Sequence, residues 1–147
     1  MCGIVGILNS SSLKNNSIDI LKKLEYRGYD SAGISLFSKE RIKTIKSVGK
    51  ISELKNKAQN VSDKNFYGVI GHTRWATHGV VSKNNAHPFA NDDLTLVCNG
   101  IIENYRKIQN RFVEIPKNIQ SDTEISFYFL TYFCLLYTSD AADDPYG

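Results

Sequence analysis

Cysteine is sparse and poorly placed for cross-linking. The 147-residue chain has three, Cys2, Cys98 and Cys134, an odd number at distant positions with no Cys-x-x-Cys pair. That pattern excludes a disulfide framework and suits a reducing cytoplasm. It also matches no zinc-ligand spacing when His72, His78 and His87 are counted with it, so no metal is expected. Long apolar runs are absent too. The longest, Phe127 to Tyr137, is broken by Thr131 and too short to cross a bilayer. No basic start leads into an apolar signal core, so neither a membrane nor export is expected. Charge of one sign is also lacking. The net charge is +3, and Lys39, Arg41, Lys43, Lys46, Lys50, Lys55 and Lys57 are interleaved with other residues, as on a solvated face and unlike a nucleic-acid site. Hydrophobic content of 41% and charged content of 22% are those of a soluble globular protein, long enough for one domain with a core.

What is present begins at the terminus, Met1-Cys2-Gly3-Ile4-Val5-Gly6-Ile7-Leu8. Removal of Met1, which a residue as small as Cys2 permits, would leave one amino acid with both a thiol and a free α-amine. Their ordinary pKa values, about 8.5 and about 7.7 to 8.0, let the amine act as base for the adjacent sulfur near neutral pH. A free cysteine is also commonly a small buried hydrophobe, and these residues alone do not choose between the two. The apolar run predicts a strand buried on both faces that anchors the terminus.

Further along, a polar loop over 9–16 leads to a helix with Ser17 as N-cap and Ile18, Ile20, Leu21 and Leu24 on one side, stopped by Gly28. A strand at 34–37 turns through Ser38-Lys39-Glu40 into a second strand at 41–48, closed by Gly49. Leu54, Ala58 and Val61 give a second helix from Ser52. A strand at 66–71 delivers His72 to Gly79, and 80–93 is a loop around Pro88. A strand at 94–98 ends in Asn99-Gly100, and a helix follows at 102–112. Ser121 and Glu124 have capping-box spacing, which starts a last helix at Asp122 or Thr123.

Five segments carry a resemblance: Met1 to Gly6, Glu25-Tyr26-Arg27-Gly28-Tyr29-Asp30-Ser31-Ala32-Gly33, His72-Thr73-Arg74-Trp75-Ala76-Thr77-His78-Gly79, Asn99-Gly100 and Ser121 to Glu124. In this order they resemble the N-terminal glutaminase domain of the glutamine:fructose-6-phosphate amidotransferases, class II amidotransferases of the N-terminal-nucleophile hydrolase group. The resemblance implies an α+β fold, an αββα sandwich of two antiparallel sheets, here incomplete at the C-terminus because the family's domain continues past residue 135. It implies hydrolysis of glutamine to glutamate and ammonia, with no metal and no organic cofactor, in a cytoplasmic protein whose parent enzyme is a homo-oligomer. Fructose 6-phosphate would be engaged only through a sugar-isomerase region that these residues do not include. Another class II amidotransferase, or a glutamine-binding domain without catalysis, is the alternative.

By that resemblance Cys2 is the nucleophile, forming a glutamyl thioester, while the Asn99 amide and the Gly100 N–H stabilise the oxyanion. Asn-Gly is equally the signature of a type I′ hairpin turn. Arg74 would grip the glutamine carboxylate through its guanidinium fork. Asp122 would pair with the α-ammonium, or serve as a helix N-cap, or divide its oxygens between both. Trp75, Thr77 and His78 belong to a closing loop with Gly79 as its hinge. Arg27 and His87 are assigned support only. His72 reads as structural and Cys98 as core packing. Residues 1–133 form the partial domain. The acidic stretch Thr138 to Gly147 differs in composition from what precedes it, so 134–147 is expected to be a non-native tail, an artefact of sequencing or cloning.

Overall fold

The computed structural model describes residues 1–76 and 79–142, with side chains as far as 134. The elements in order are β1 (Gly3–Leu8), α1 (Leu13–Lys23), a 3-10 turn (Glu25–Arg27), β2 (Ser31–Phe37), β3 (Ile42–Val48), α2 (Ile51–Ala58), β4 (Gly68–Arg74), β5 (Phe89–Ala90), β6 (Thr95–Leu96), α3 (Tyr105–Arg111) and α4 (Asp122–Ala142). The fold is α+β. A four-stranded antiparallel sheet has the order β1-β4-β2-β3, and β5 and β6 form a separate antiparallel pair.

The core lies on one face of the larger sheet. Val5, Ala32, Ile34, Leu36, Ile45 and Val69 meet Leu13, Ile18 and Leu21 of α1 and Ile51, Leu54 and Ala58 of α2. Strand side chains alternate, so the intervening residues of β2 and β4, including Gly33, His72 and Arg74, face the other way. There the loop before β5 lies against the sheet. A Cβ on Gly33 would overlap the His87 carbonyl oxygen and approach Ile45 O to 2.9 Å, so only glycine admits that layer.

The expectation that β1 is buried on both faces is corrected: Val5 is 6% exposed but Ile4 is 43% and Leu8 is 64%. β1 is an edge strand with α1 on one face, and a Cβ on Gly6 would meet nothing within 4 Å. Ser17 is not the N-cap of α1. The helix starts at Leu13, and Ser17 is buried inside it with its hydroxyl donating to Lys14 O at 2.8 Å. Packing of Leu13 into the core overrides the loop preference of the Ser- and Asn-rich run. Ile20 lies off the buried stripe, at 38% exposed. β2 begins three residues before the expected strand because Ser31, Ala32 and Gly33 pair with Arg74, Thr73 and His72, which also carries β4 on to Arg74. β6 and α3 are shorter than their apolar patterns suggest, while α4 starts at Asp122 as its spacing predicts.

Two long-range contacts hold α2. The Glu25 carboxylate accepts from the Ile51 N–H at 2.7 Å at its first turn, and Lys14 Nζ donates to the carbonyls of Ala58, Gln59 and Val61 at its end. Burial pushes the Glu25 carboxyl up, but its bonds from Lys22 and from Ile51 outweigh that and hold it below the ordinary value.

Candidate active site

Cys2 sits at the start of the edge strand, and three distant segments converge on it. The Asn99 side-chain amide brackets its backbone. Asn99 Oδ1 accepts from the Cys2 N–H at 3.3 Å, and Nδ2 donates to the Cys2 carbonyl at 3.3 Å. Arg27 Nε donates to that same carbonyl at 3.1 Å. The Trp75 N–H donates to Cys2 Sγ at 3.4 Å, and the thiol lies 3.9 Å from Trp75 O. One residue along, Thr73 Oγ1 accepts from the Gly3 N–H at 3.0 Å and fixes the strand in register. Residue 2 is therefore pinned from β4, from the turn after α1 and from the segment after β6.

Arg74 ends β4 and is 5% exposed. Its Nη1 donates to Val80 O at 3.4 Å. Burial pulls its guanidinium below the ordinary value, and the nearby Cys2, Asp30 and Asp122 groups oppose that shift. A buried cation thus lies within electrostatic reach of the sulfur and two carboxylates. Asp122 is 6% exposed, and its Oδ2 accepts from the Ile102 N–H at 2.8 Å, which ties α4 to the segment after Gly100. Among the described residues, positive φ occurs at Asn9, Gly49, Asn65 and Gly79. Asn99 and Gly100 are not in that region, which excludes the alternative of a type I′ turn, because that turn needs two such residues. Gly79 has φ +76°, and a Cβ there would lie 3.0 Å from Asn85 Nδ2.

Behind the Asn99 segment two imidazoles meet. His72 Nε2 lies 3.0 Å from the Cys98 carbonyl and 3.2 Å from His87 Nδ1, with ring centroids 4.2 Å apart. Burial lowers the pKa of His72 to about 4, against the Cys98 carbonyl, which raises it, and with Arg74, which lowers it further. His87 is lowered by burial and then by His72, Arg74 and Lys46. Both rings are therefore neutral near pH 7. Cys98 is not in a core strand. It is part-buried just past β6, its thiol pushed up first by burial, and a hydrogen bond with Thr123 draws it back down.

Of the expected site residues, Cys2, Arg27, Arg74, Trp75, Asn99 and Asp122 come together, with Gly100 next to Asn99 and His87 reached through His72 and Cys98. Trp75 is 46% exposed at the rim. Thr77 and His78 lie outside the described residues. Sequence reasoning passed over Thr73 and Asp30, although both lie inside the quoted motifs. The Asp30 N–H donates to Arg74 O at 3.1 Å, and its Oδ2 accepts from the Ala76 N–H at 2.8 Å. A cavity of about 570 Å³ opens beside the site rather than over Cys2, and Val80, Asn85, Gln120 and Glu124 are among its lining. Among the described residues no group of acidic, His and Cys side chains could hold a metal ion. No helix there is long and apolar enough to cross a membrane.

No protein-family model matches the chain. Similar curated proteins are the glutamine--fructose-6-phosphate aminotransferases [isomerizing] of Bartonella henselae, 43% identical over 133 residues, and Francisella tularensis, 46% over 127. That of Helicobacter pylori is 44% identical over 132 residues. The matches cover 89%, 84% and 88% of this chain but only 22%, 20% and 22% of those proteins. Among solved structures, a glutamine phosphoribosylpyrophosphate amidotransferase from B. subtilis complexed with ADP and GMP superposes with TM-score 0.60 at 25% identity. It spans 88% of this chain and 28% of that one. The allosteric regulatory enzyme of purine biosynthesis gives TM-score 0.66 at 25% identity over 85% of this chain and 28% of that one. In sequence the chain is similar to the N-terminal part of the glutamine--fructose-6-phosphate aminotransferases, and its fold is that of the class II, N-terminal-nucleophile glutamine amidotransferases.

Proposed function

We propose that this chain hydrolyses the side-chain amide of glutamine and that the longer protein uses the ammonia to convert fructose 6-phosphate to glucosamine 6-phosphate in the cytoplasm, as a homo-oligomer. The observation that carries the reading is the bracketing of Cys2 by Asn99, beside a buried Arg74 and Asp122. Removal of Met1 turns the Cys2 amide nitrogen into an α-amine. Asn99 Oδ1, already the acceptor for that nitrogen, then holds it beside the sulfur as its base. The thiolate attacks the amide carbon of glutamine. Sulfur and carbon bond, ammonia leaves with a proton passed through the α-amine, and water releases glutamate from the thioester. Asn99 Nδ2 and the Gly100 N–H receive the oxyanion.

Arg74 holds the glutamine carboxylate and Asp122 its ammonium. Asp122 Oδ2 is engaged by the Ile102 N–H, so the ammonium falls to the other carboxylate oxygen. Trp75, half-exposed at the rim, is assigned with Thr77 and His78 to contact with bound glutamine. Arg27 steadies the nucleophile by its bond to the Cys2 carbonyl, and His87 braces His72 behind Asn99. Residues 134–147 are read as a non-native tail on their change of composition, which sequencing of the locus tests.

Mass spectrometry of the protein treated with an electrophilic glutamine analogue tests the site. The expected result is loss of the Met1 mass and one adduct, on Cys2. An adduct confined to Cys98 or Cys134, or none on a folded protein that lacks Met1, would overturn the reading. An uncleavable N-terminal tag, which keeps the nitrogen in a peptide bond, is expected to abolish turnover and leave the fold intact.

A further inference from the structure

The segment Gly28 to Asp30 presses on the chain that carries the Trp75 amide. A Cβ on Gly28 would lie 2.7 Å from both Arg74 C and Trp75 N, so the two backbones touch there without a side chain between them. The Tyr29 ring meets the Trp75 ring edge-on at 5.8 Å. Asp30 then grips the same stretch on both sides of Trp75, its N–H donating to Arg74 O at 3.1 Å and its Oδ2 accepting from the Ala76 N–H at 2.8 Å. Its own carbonyl accepts from the Gly49 N–H at 2.9 Å, which anchors the grip to the end of the β2–β3 hairpin. Between those two fixed points lies the Trp75 N–H, aimed at Cys2 Sγ at 3.4 Å.

With residues 74 and 76 both held, the Trp75 peptide has little freedom to rotate away from the sulfur. A backbone donor fixed in this way stabilises a thiolate without reorganisation when negative charge develops there. We propose that Asp30 is a positioning residue: through the Ala76 N–H it sets the Trp75 amide as the hydrogen-bond donor to the Cys2 sulfur. The inference rests on the glutaminase reading, which gives the sulfur its role. Asp30 itself touches neither the sulfur nor the substrate. What it supplies is an oxygen in the right place, and its charge is secondary.

Three variants of the full chain separate geometry from charge, read by glutamine kinetics and by the rate at which iodoacetamide alkylates Cys2, resolved from Cys98 and Cys134 by peptide mass mapping. Asp30→Ala is expected to lower kcat roughly 10-fold or more with KM within about twofold, since small misplacement near reacting atoms is costly. Asp30→Asn keeps an acceptor for Ala76 and is expected within about threefold of wild type. Asp30→Glu keeps the charge but displaces the oxygen, and is expected to fall as Ala does. Cys2 alkylation should follow the same order. The opposite order, with Glu active and Asn impaired, would overturn the proposal, as would a folded Asp30→Ala protein with unchanged kcat and alkylation. If Asp30→Ala fails to fold, the Asn and Glu pair decides. If wild type does not hydrolyse glutamine, the functional reading fails, and the alkylation order alone then upholds or overturns the positioning.

Discussion

The two faces of the larger sheet are built from the same strands and do different work. Along β4, Val69 and Gly71 point into the apolar layer under α1, where Gly71 leaves room for Leu21, Val5 and Ile34. Alternate residues of that strand, His72 and Arg74, point to the opposite side, where polar groups are buried and each has a geometric task. Ser35 of β2 is likewise fully buried on that side, its hydroxyl paired with that of Thr44 at 2.7 Å, while the equally buried Ser31 hydroxyl is left without a partner among the described residues. The first face is held by area removed from water and tolerates shape-conserving change. The second is held by directional contacts, so small displacements there alter chemistry before they alter stability.

A pair of truncations breaks this comparison most sharply. Leu21→Ala, at 0% exposed, is expected to cost about 2 to 5 kcal/mol of stability through transfer and cavity terms, read as a lower urea midpoint. Glutamine KM in the protein that remains folded should not change. Asn99→Ala is expected to do the reverse, lowering kcat by roughly 10²- to 10³-fold with little change in midpoint. Equal losses of stability from the two variants would mean that the faces are not functionally separate.

How far the sequence itself disclosed this division differs from one residue to the next. The strand that leads into His72 and the apolar stripe of α2 are local patterns, and Cys2, Arg74, Asn99 and Asp122 were picked out by motifs far apart in the chain. The start of α1 at Leu13 was hidden because its polar run depends on packing against residues far along the chain. The exposure of Ile4 and Leu8 was hidden because strand order, which puts β1 at the edge, is not written in the strand's own composition. Glu25 shows a different limit. It lies in the same motif as Arg27 and Asp30, yet its carboxylate serves α2 on the apolar side. A motif names residues that matter together, and only the contacts divide them between fold and site.

Acid sharpens the comparison from the polar face. His72, lowered to about 4 from an ordinary value near 6.5, is neutral in the folded protein and takes up a proton more readily when unfolded. Stability from its neutrality is therefore complete above about pH 6.5 and is lost as pH falls toward 4, on the order of 3 kcal/mol. His87 shifts the same way, with Arg74 and Lys46 as the facing cations and the Cys98 carbonyl as the facing acceptor. The urea midpoint should fall between pH 6.5 and 4.5, and a doubly substituted His72→Gln, His87→Gln protein should show a flatter profile over that window. Identical profiles would place the acid sensitivity elsewhere.

The smallest expected effect comes from the apolar face. Lys14 Nζ donates to Val61 O at 2.7 Å, Ala58 O at 3.1 Å and Gln59 O at 3.4 Å, so one cation bonds three carbonyls at and just past the end of α2 and complements the negative end of its dipole. Lys14→Met keeps most of the stem and removes those donors. Because part of the bonding is replaced by water at this half-exposed position, the expected cost is about 1 kcal/mol, read as a modestly lower urea midpoint. Glutamine kinetics should stay at the wild-type level, since Lys14 lies in the first turn of α1, at the opposite end of that helix from the turn whose Arg27 bonds the Cys2 carbonyl. A changed kcat at unchanged midpoint would show that strain on the apolar side reaches the nucleophile.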